Sequence, residues 1–385
     1  MRHDGIDRRG FVVGALGSAA AVAGLRASGV PEVDGMTGPV RTERVRRGSP
    51  QPPKPRIRFA VIGMDHPHIY SQVAAVERGG GELVFVHAKE PQQLAEFTKR
   101  VPRGKAARSE AEILDDPSIQ LVVSSIVPDE RAPLGIRVMQ HGKDYMADKP
   151  GITTLEQLAE VRRVQAETKR IYSIMYSERL ENRATVRAGE LVAAGAIGRV
   201  VQTIGLGPHR ISLNTRPAWF WDKARFGGIL CDIASHQADQ FLFFTNSTSA
   251  EVIAAQVANV HHPQYPKFED FGDMLLRGNG GRGYIRVDWF TPDGLATWGD
   301  GRLTVLGTDG FIEIRKNIDI AGRPGDSHLF LVDHKETRYI DCREQPLPYG
   351  ERLVDDVLNR TETAMPQAHC LLAAQLVLEA QKKAV

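Results

Sequence analysis

Cysteine is scarce in this chain of 385 residues: Cys231, Cys342 and Cys370 are the only three, and no two form a C-x-x-C pair. A disulfide framework and a zinc ribbon are therefore excluded as organising devices. A long hydrophobic run is missing too. The N-terminal apolar stretch, residues 11–25, is short and rich in Ala and Gly, too weakly apolar to persist as a membrane-spanning helix. Charge of one sign is also lacking, with 49 Lys and Arg against 47 Asp and Glu. That balance is uneven along the chain. Residues 1–58 carry 11 basic and 5 acidic side chains, and the remainder carries 38 and 42. A mildly acidic body argues against a nucleic-acid partner. The hydrophobic fraction of 42% is ordinary, and the length suffices for two domains with separate cores.

The first 30 residues contain Arg8-Arg9-Gly10-Phe11-Val12, paired arginines that resemble a twin-arginine export signal. Ala21-Val22-Ala23 and the Ala27-Ser28 region both offer cleavage positions. Residues 1–30 are accordingly read as a signal peptide. Residues 31–55, built of Pro, Gly, Arg and Thr without apolar periodicity, are read as a disordered linker. The expected partner is the twin-arginine export machinery, which moves folded proteins. The expected location is periplasmic or otherwise extracytoplasmic.

From residue 56 onward strands and helices alternate. Strand 58–62 ends at Gly63, and helix 69–78, strand 82–87 and helix 91–100 follow. Strand 121–127, helix 131–141 and strand 144–146 continue the pattern. This predicts a parallel doubly wound sheet over 56–170, with ligand at the carboxyl ends of its strands. The dinucleotide fingerprint G-x-G-x-x-G reads Gly63-Met64-Asp65-His66-Pro67-His68, with one glycine of three. Where an acid should hold ribose hydroxyls, the second strand ends in His87-Ala88-Lys89, and Lys89 leans toward a 2′-phosphate. Asp65, His66, His68 and His87 have the chemistry of metal ligands. His66 and His68 sit on a turn, however, where lining a pocket or capping a helix serves equally well, and no metal is assigned.

Residues 171–385 read as a second α/β domain. Before it, Asp148-Lys149-Pro150 forms a turn in which proline biases Lys149 to an extended conformation aimed at the crevice. Strand 171–176, helix 183–194 and strand 200–206 lead to a loop carrying His209, Arg210, Arg216, Trp219 and Trp221. Such side chains suit stacking on and bonding to a sugar, although a core or oligomer-interface role fits them as well. Gly227-Gly228 then precedes a helix from about Ile229, on which Asp232, His236 and Gln240 share a face. A carboxylate one turn before an imidazole orients the ring and raises its pKa, giving a base for neutral pH. The same pair also serves as a satisfied histidine without chemistry. Beyond 249, three hairpins predict a largely antiparallel sheet with an open face, and helices at 350–359 and 367–382 close the chain.

The strand–glycine turn, Asp148-Lys149-Pro150, and Gly227-Gly228 with Asp232 and His236 together resemble the Gfo/Idh/MocA oxidoreductase family over residues 56–385. The resemblance implies an N-terminal Rossmann domain and a C-terminal α/β domain whose open sheet builds a dimer or tetramer. It also implies NAD or NADP, and hydride transfer from a secondary hydroxyl of a sugar or cyclitol-like substrate. In that scheme His236 is the base, Lys149 positions the oxygen, and Asp232 orients substrate or imidazole. The cofactor side falls to Gly63, Met64, Asp65, His66, His68, Lys89, Pro128 and Lys149. Asp65, Ala88 and the segment Pro128-Asp129-Glu130-Arg131-Ala132, where the family reads Asn-x-x-His, depart from its pattern. Because those departures all lie on the cofactor side, two other classes stay open. One is the same fold used as a lyase, isomerase or hydrolase, with or without a metal; the other is a non-enzymatic sugar-binding protein.

Overall fold

The computed structural model describes residues 40–44 and 55–385. The signal peptide expected at 1–30 lies outside the described residues. Within the expected linker, however, β1 (Arg41–Arg44) is a strand. It lies parallel to the last strand of the second sheet, and corrects the linker reading there. Backbone pairing at a sheet edge needs no apolar periodicity, so the sequence pattern is silent about it.

The first domain alternates as read. In order come β2 (Ile57–Ile62), α1 (Ile69–Arg78), β3 (Gly81–His87), α2 (Pro91–Arg100), β4 (Lys105–Ala106) and α3 (Glu110–Leu114). Then follow β5 (Leu121–Ser124), α4 (Pro128–Gln140), β6 (Asp144–Asp148), α5 (Leu155–Thr168) and β7 (Tyr172–Met175). The six strands run parallel in the order β4-β3-β2-β5-β6-β7, and β5, β6 and β7 are buried throughout. Helices on both faces require such continuous burial. The strand read as opening the second domain at 171 is thus the last strand of the first sheet. Its apolar run carries no mark of which sheet it joins; Tyr172–Met175 pairs with β6 in register.

The second domain begins with α6 (Ser177–Leu180), α7 (Arg183–Ala193) and β8 (Val200–Pro208). After the aromatic loop come α8 (Lys223–Phe226), α9 (Ile229–Asp232) and α10 (Ala234–Thr245). Strands β9 (Ala250–Ala258), β10 (Phe271–Gly278), β11 (Arg282–Asp288), β12 (Arg302–Gly307), β13 (Gly310–Arg315), β14 (His328–Asp333) and β15 (Thr337–Asp341) follow, then α11 (Tyr349–Asn359) and α12 (Gln367–Lys383). The nine-stranded sheet has the order β1-β15-β14-β13-β12-β8-β11-β10-β9. It is antiparallel except where β8 meets β11 and β1 meets β15. One face is covered by helices; the other exposes Ile204, Leu275, Leu306 and Phe311 among charged side chains. Among the described residues, no helix is long and apolar enough to cross a membrane.

Two devices seat the helix that carries His236. Glycines on β8 let α10 lie close, because a Cβ at Gly205 would stand 2.7 Å from Gln237 Cγ and one at Gly207 would stand 2.9 Å from Ile233 Cγ2. Beneath it, Asp239 is fully buried and accepts from Arg179 Nε at 2.6 Å and Nη2 at 2.8 Å, with His369 Nε2 at 2.8 Å. This cluster ties α6, α10 and α12 together. Removing the guanidinium strands a buried carboxylate, so Arg179→Leu is expected to lose about 3–5 kcal/mol of stability. The pair Arg179→Leu/Asp239→Leu is expected to lose less. Denaturant unfolding of the two variants checks the order.

Candidate active site

β6 delivers Asp148 and Lys149 to the carboxyl end of the first sheet, and α9 delivers Asp232 from the other side. Gly227 and Gly228, with φ +91° and +93°, make the turn into α9. At Gly228 a Cβ would overlap Gln381 Oε1, at 2.2 Å, so only glycine fits that turn. Lys149 Nζ donates to Asp232 Oδ1 at 2.9 Å, with the lysine buried and the aspartate mostly so. Burial pushes the Asp232 carboxyl up, but Lys149's charge and hydrogen bond outweigh it and hold the group below its ordinary value.

The helix expected to run on from Ile229 breaks at Ile233, and α10 restarts at Ala234. His236 still follows one turn after Asp232, yet the two make no hydrogen bond: Asp232 belongs to Lys149. The imidazole is buried, and its Nδ1 has no partner among the described residues. Burial pulls its pKa down to about 3; Glu178 opposes this, while Lys149, His68 and Lys316 add to it. The expectation of a raised pKa is therefore overturned. Its cause is that the carboxylate one turn away is committed elsewhere and the ring has lost its water.

Asp148 anchors the first turn. It accepts from His68 Nδ1 at 2.9 Å and lies 3.1 Å from His66 Nδ1, while Arg131 Nη2 donates to it at 3.1 Å. Burial, followed by the field of His68, lowers His66 to about 4. The ligand atoms of His66, His68 and Asp148 lie within 4.8 Å of one another, close enough for one metal ion. Arg131 shares that carboxylate, however, so an added divalent cation would face the guanidinium at short range, and the cluster is satisfied by its own hydrogen bonds.

These groups open onto a cleft of about 480 Å³, a size suited to a small ligand. Of the residues singled out in the sequence, His66, His68, Pro128, Lys149, His209, Arg210, Arg216, Trp219, Asp232 and His236 line it. Gly63, Met64, Asp65 and Lys89 do not. Met64 is buried in the core, Asp65 accepts from Gln93 at 2.9 Å, and Lys89 pairs with Glu130. Trp221 corrects the substrate assignment: it stacks on Tyr265 at 3.7 Å, and Trp289 and Trp298 form the cleft wall with Trp219 instead. His209 sits against Trp298 at 4.6 Å, and burial, then Lys149's charge, lowers it to about 4.

Sequence reasoning missed Glu178 and Lys316, a buried ion pair in the far wall. Glu178 also accepts from Gln237 at 2.9 Å, and Lys316 donates to Gln240 at 3.3 Å. Burial works against the Glu178 charge, but Lys316 outweighs it and brings the pKa down to about 2. Glu178 lies just beyond the carboxyl end of β7, where ligand-binding loops of such sheets cluster, so it was findable once β7 is given to the first sheet. Lys316 follows a hairpin strand and carries no such signal.

Residues 57–176 match the sequence model for the oxidoreductase family with an NAD-binding Rossmann fold, and 185–313 match that of the GFO/IDH/MocA C-terminal domain. A solved structure from Erwinia carotovora atroseptica SCRI1043, whose oxidoreductase name is provisional, is 44% identical with a TM-score of 0.83. It covers 86% of this chain and 99% of its own. The chain belongs to the Gfo/Idh/MocA oxidoreductase family. Among curated relatives, the 1,5-anhydro-D-fructose reductase of Ensifer adhaerens is 27% identical over 189 residues, 47% of this chain. The chain spans only 54% of that relative's length. The scyllo-inositol 2-dehydrogenase (NAD(+)) of Bacillus subtilis is 24% identical over 293 residues, 74% of this chain and 82% of its own. The myo-inositol 2-dehydrogenase structure from Lactobacillus plantarum, at 18% identity and TM-score 0.68 over 86% of this chain and 97% of its own, shares the Gfo/Idh/MocA fold.

Three of the four cleft histidines have a consequence for stability. His66, His209 and His236 take protons near pH 6.5 when unfolded but only near 4, 4 and 3 when folded. Between those values the unfolded chain binds more protons, so stability falls as pH drops, by up to about 1.4 kcal/mol per pH unit per histidine. The depressed carboxylates add to the loss only below about pH 4. Unfolding free energies measured from pH 7 to 5 are expected to show this slope. His209→Phe is expected to flatten it by one proton's share.

Proposed function

We propose that this protein is a nicotinamide-dependent oxidoreductase that removes hydride from a secondary hydroxyl of a sugar or cyclitol-like substrate. The observation that carries the reading is that the Lys149–Asp232 pair and His236, whose Nδ1 has no partner among the described residues, line one cleft, where the Lys149 charge acts on the imidazole. A dinucleotide fits the first domain on three counts. Strand order reverses between β2 and β5, which opens a crevice at their carboxyl ends. Gly63, at φ +77°, lets the turn after β2 close on Ile126, whose Cβ would lie 2.6 Å from an added Cβ. Asp65, held by Gln93 at the start of α2, stands where Ala88 leaves no acid for the ribose hydroxyls. With Lys89 engaged by Glu130, this supports NAD over NADP, against the lean that Lys89 gives in the sequence.

A nicotinamide dinucleotide held at the Gly63 turn and by Asp65 would supply the hydride acceptor. Lys149, paired with Asp232, donates to the hydroxyl oxygen and stabilises the negative charge that develops there. The neutral imidazole of His236 accepts the hydroxyl proton. Its depressed basicity is offset by the acidity Lys149 confers on the hydroxyl. Trp219, Trp298 and His209 supply faces for the sugar ring. His236→Ala is expected to lower kcat by about 10²–10⁴-fold with dinucleotide affinity unchanged. Turnover with an inflection near pH 6.5 would contradict the lowered pKa of His236. Denaturing freshly purified protein is expected to release NAD or NADP, or the folded protein to bind it when added; neither outcome would redirect the reading to a lyase, hydrolase or sugar-binding role.

We also propose that the chain is exported folded through the twin-arginine machinery and works outside the cytoplasm as a dimer or tetramer. The paired Arg8-Arg9 and the apolar side chains on the open sheet face support this. Arg8→Lys/Arg9→Lys is expected to hold the protein in the cytoplasm on fractionation, and light scattering of the wild type is expected to give two or four chains. An unaltered distribution, or a monomer, would reject the respective half.

A further inference from the structure

Five basic side chains line the cleft, and four have a carboxylate partner. Arg131 has Asp148 at 3.1 Å, Lys149 has Asp232 at 2.9 Å, Lys316 has Glu178, and Arg210 has the exposed Asp293 at 3.4 Å. Arg216 has none among the described residues. Its Nε donates to the carbonyl of Ile211 at 2.7 Å and its Nη2 to the carbonyl of Arg210 at 3.1 Å. The guanidinium carbon lies 4.4 Å from the centre of the Phe220 ring and 4.7 Å from that of Trp289. All four contacts are neutral. They fix the plane of the guanidinium without cancelling its charge.

We infer that Arg216 binds a carboxylate of the substrate, which makes that substrate a sugar acid or carboxylated cyclitol rather than a neutral sugar. This rests on the oxidoreductase reading above and names the substrate class of the same site. A half-buried guanidinium that lines a ligand cleft and has no acid of its own is completed by an anion. The planar fork matches a carboxylate, and its single positive charge matches a single negative one; a phosphate dianion would remain half-neutralised. The carboxylate whose field acts on Arg216 is that of Asp232, already taken by Lys149. The anion therefore binds near the proton-transfer pair, on the molecule that carries the reacting hydroxyl. A role confined to bracing the loop accounts for the two carbonyl bonds but not for a cation left without an acid in a cleft where every other one is matched.

The test uses the purified full chain with added NAD or NADP. Initial rates are measured for matched pairs, glucuronate against glucose and galacturonate against galactose, together with glucose 6-phosphate. At least one uronate is expected to exceed its neutral counterpart in kcat/KM by about 100-fold, in line with a charge-assisted pair. Arg216→Gln is expected to collapse that ratio, and Arg216→Lys to recover part of it. Equal use of neutral and acidic sugars, a preference for the phosphate, or an equal proportional loss on both members of a pair in Arg216→Gln would overturn the inference. Should no sugar be turned over, the oxidoreductase reading fails by itself and thermal shift decides about Arg216. Stabilisation by glucuronate but not glucose, lost in Arg216→Gln, sustains the anion site; no such difference removes it.

Discussion

Lys149 and Asp232 are 83 residues apart in the chain and come from different domains, yet they form a buried 2.9 Å ion pair at the floor of the cleft. A buried charge is tolerated only beside its counter-charge, so β6 and α9 must be held in register for the interior to be stable at all. Much of the nearby architecture meets that demand. The two positive-φ glycines aim α9, the bare positions on β8 admit α10, and the Arg179–Asp239–His369 cluster locks α10 from beneath. The chemistry of the site and the docking of its two halves are thus one constraint.

The cleft repeats this logic at several points. Asp148 is answered by Arg131, and Glu178 by Lys316, so full charges survive there in pairs. The buried imidazoles give up ionisation instead: His66, despite Asp148 beside it, and His209 and His236 are all driven to the neutral form by loss of water. In the proposed reaction a neutral imidazole would take a proton, and an ammonium fixed by a carboxylate would stabilise an alkoxide. Desolvation supports that proposal more firmly than spacing along a helix does. Among the described residues that line the cleft, Arg216 alone of the Lys and Arg side chains has no acid.

The cofactor side shows how a motif can be rewritten while its geometry is kept. Two fingerprint glycines are gone, and Asp65 and His68 stand in their places. Gly63 still makes the turn, and Asp65 carries a carboxylate to the start of α2. His66 and His68 bind Asp148 and tie the first turn to the strand that bears Lys149. A residue-by-residue count against the fingerprint records only losses; the folded turn shows that the replaced groups have new partners.

The alternation of strands and helices, the three hairpins, and the Lys149, Asp232 and His236 constellation were legible in the sequence because they depend on local periodicity and on residue types with few other uses. Three things were not. Which sheet receives Tyr172–Met175 depends on edge pairing, and backbone hydrogen bonds leave no trace in side-chain pattern. Whether Trp221 or Trp289 faces ligand depends on which ring finds a partner in the core, here Tyr265 for Trp221. The protonation of His236 depends on burial and on Asp232 being claimed by a lysine from the other domain, and helical spacing carries no information about either. The sequence by itself determined the elements and the chemical vocabulary of the site. The tertiary structure decided pairing, exposure and charge state, because each is a property of neighbours brought together across the chain.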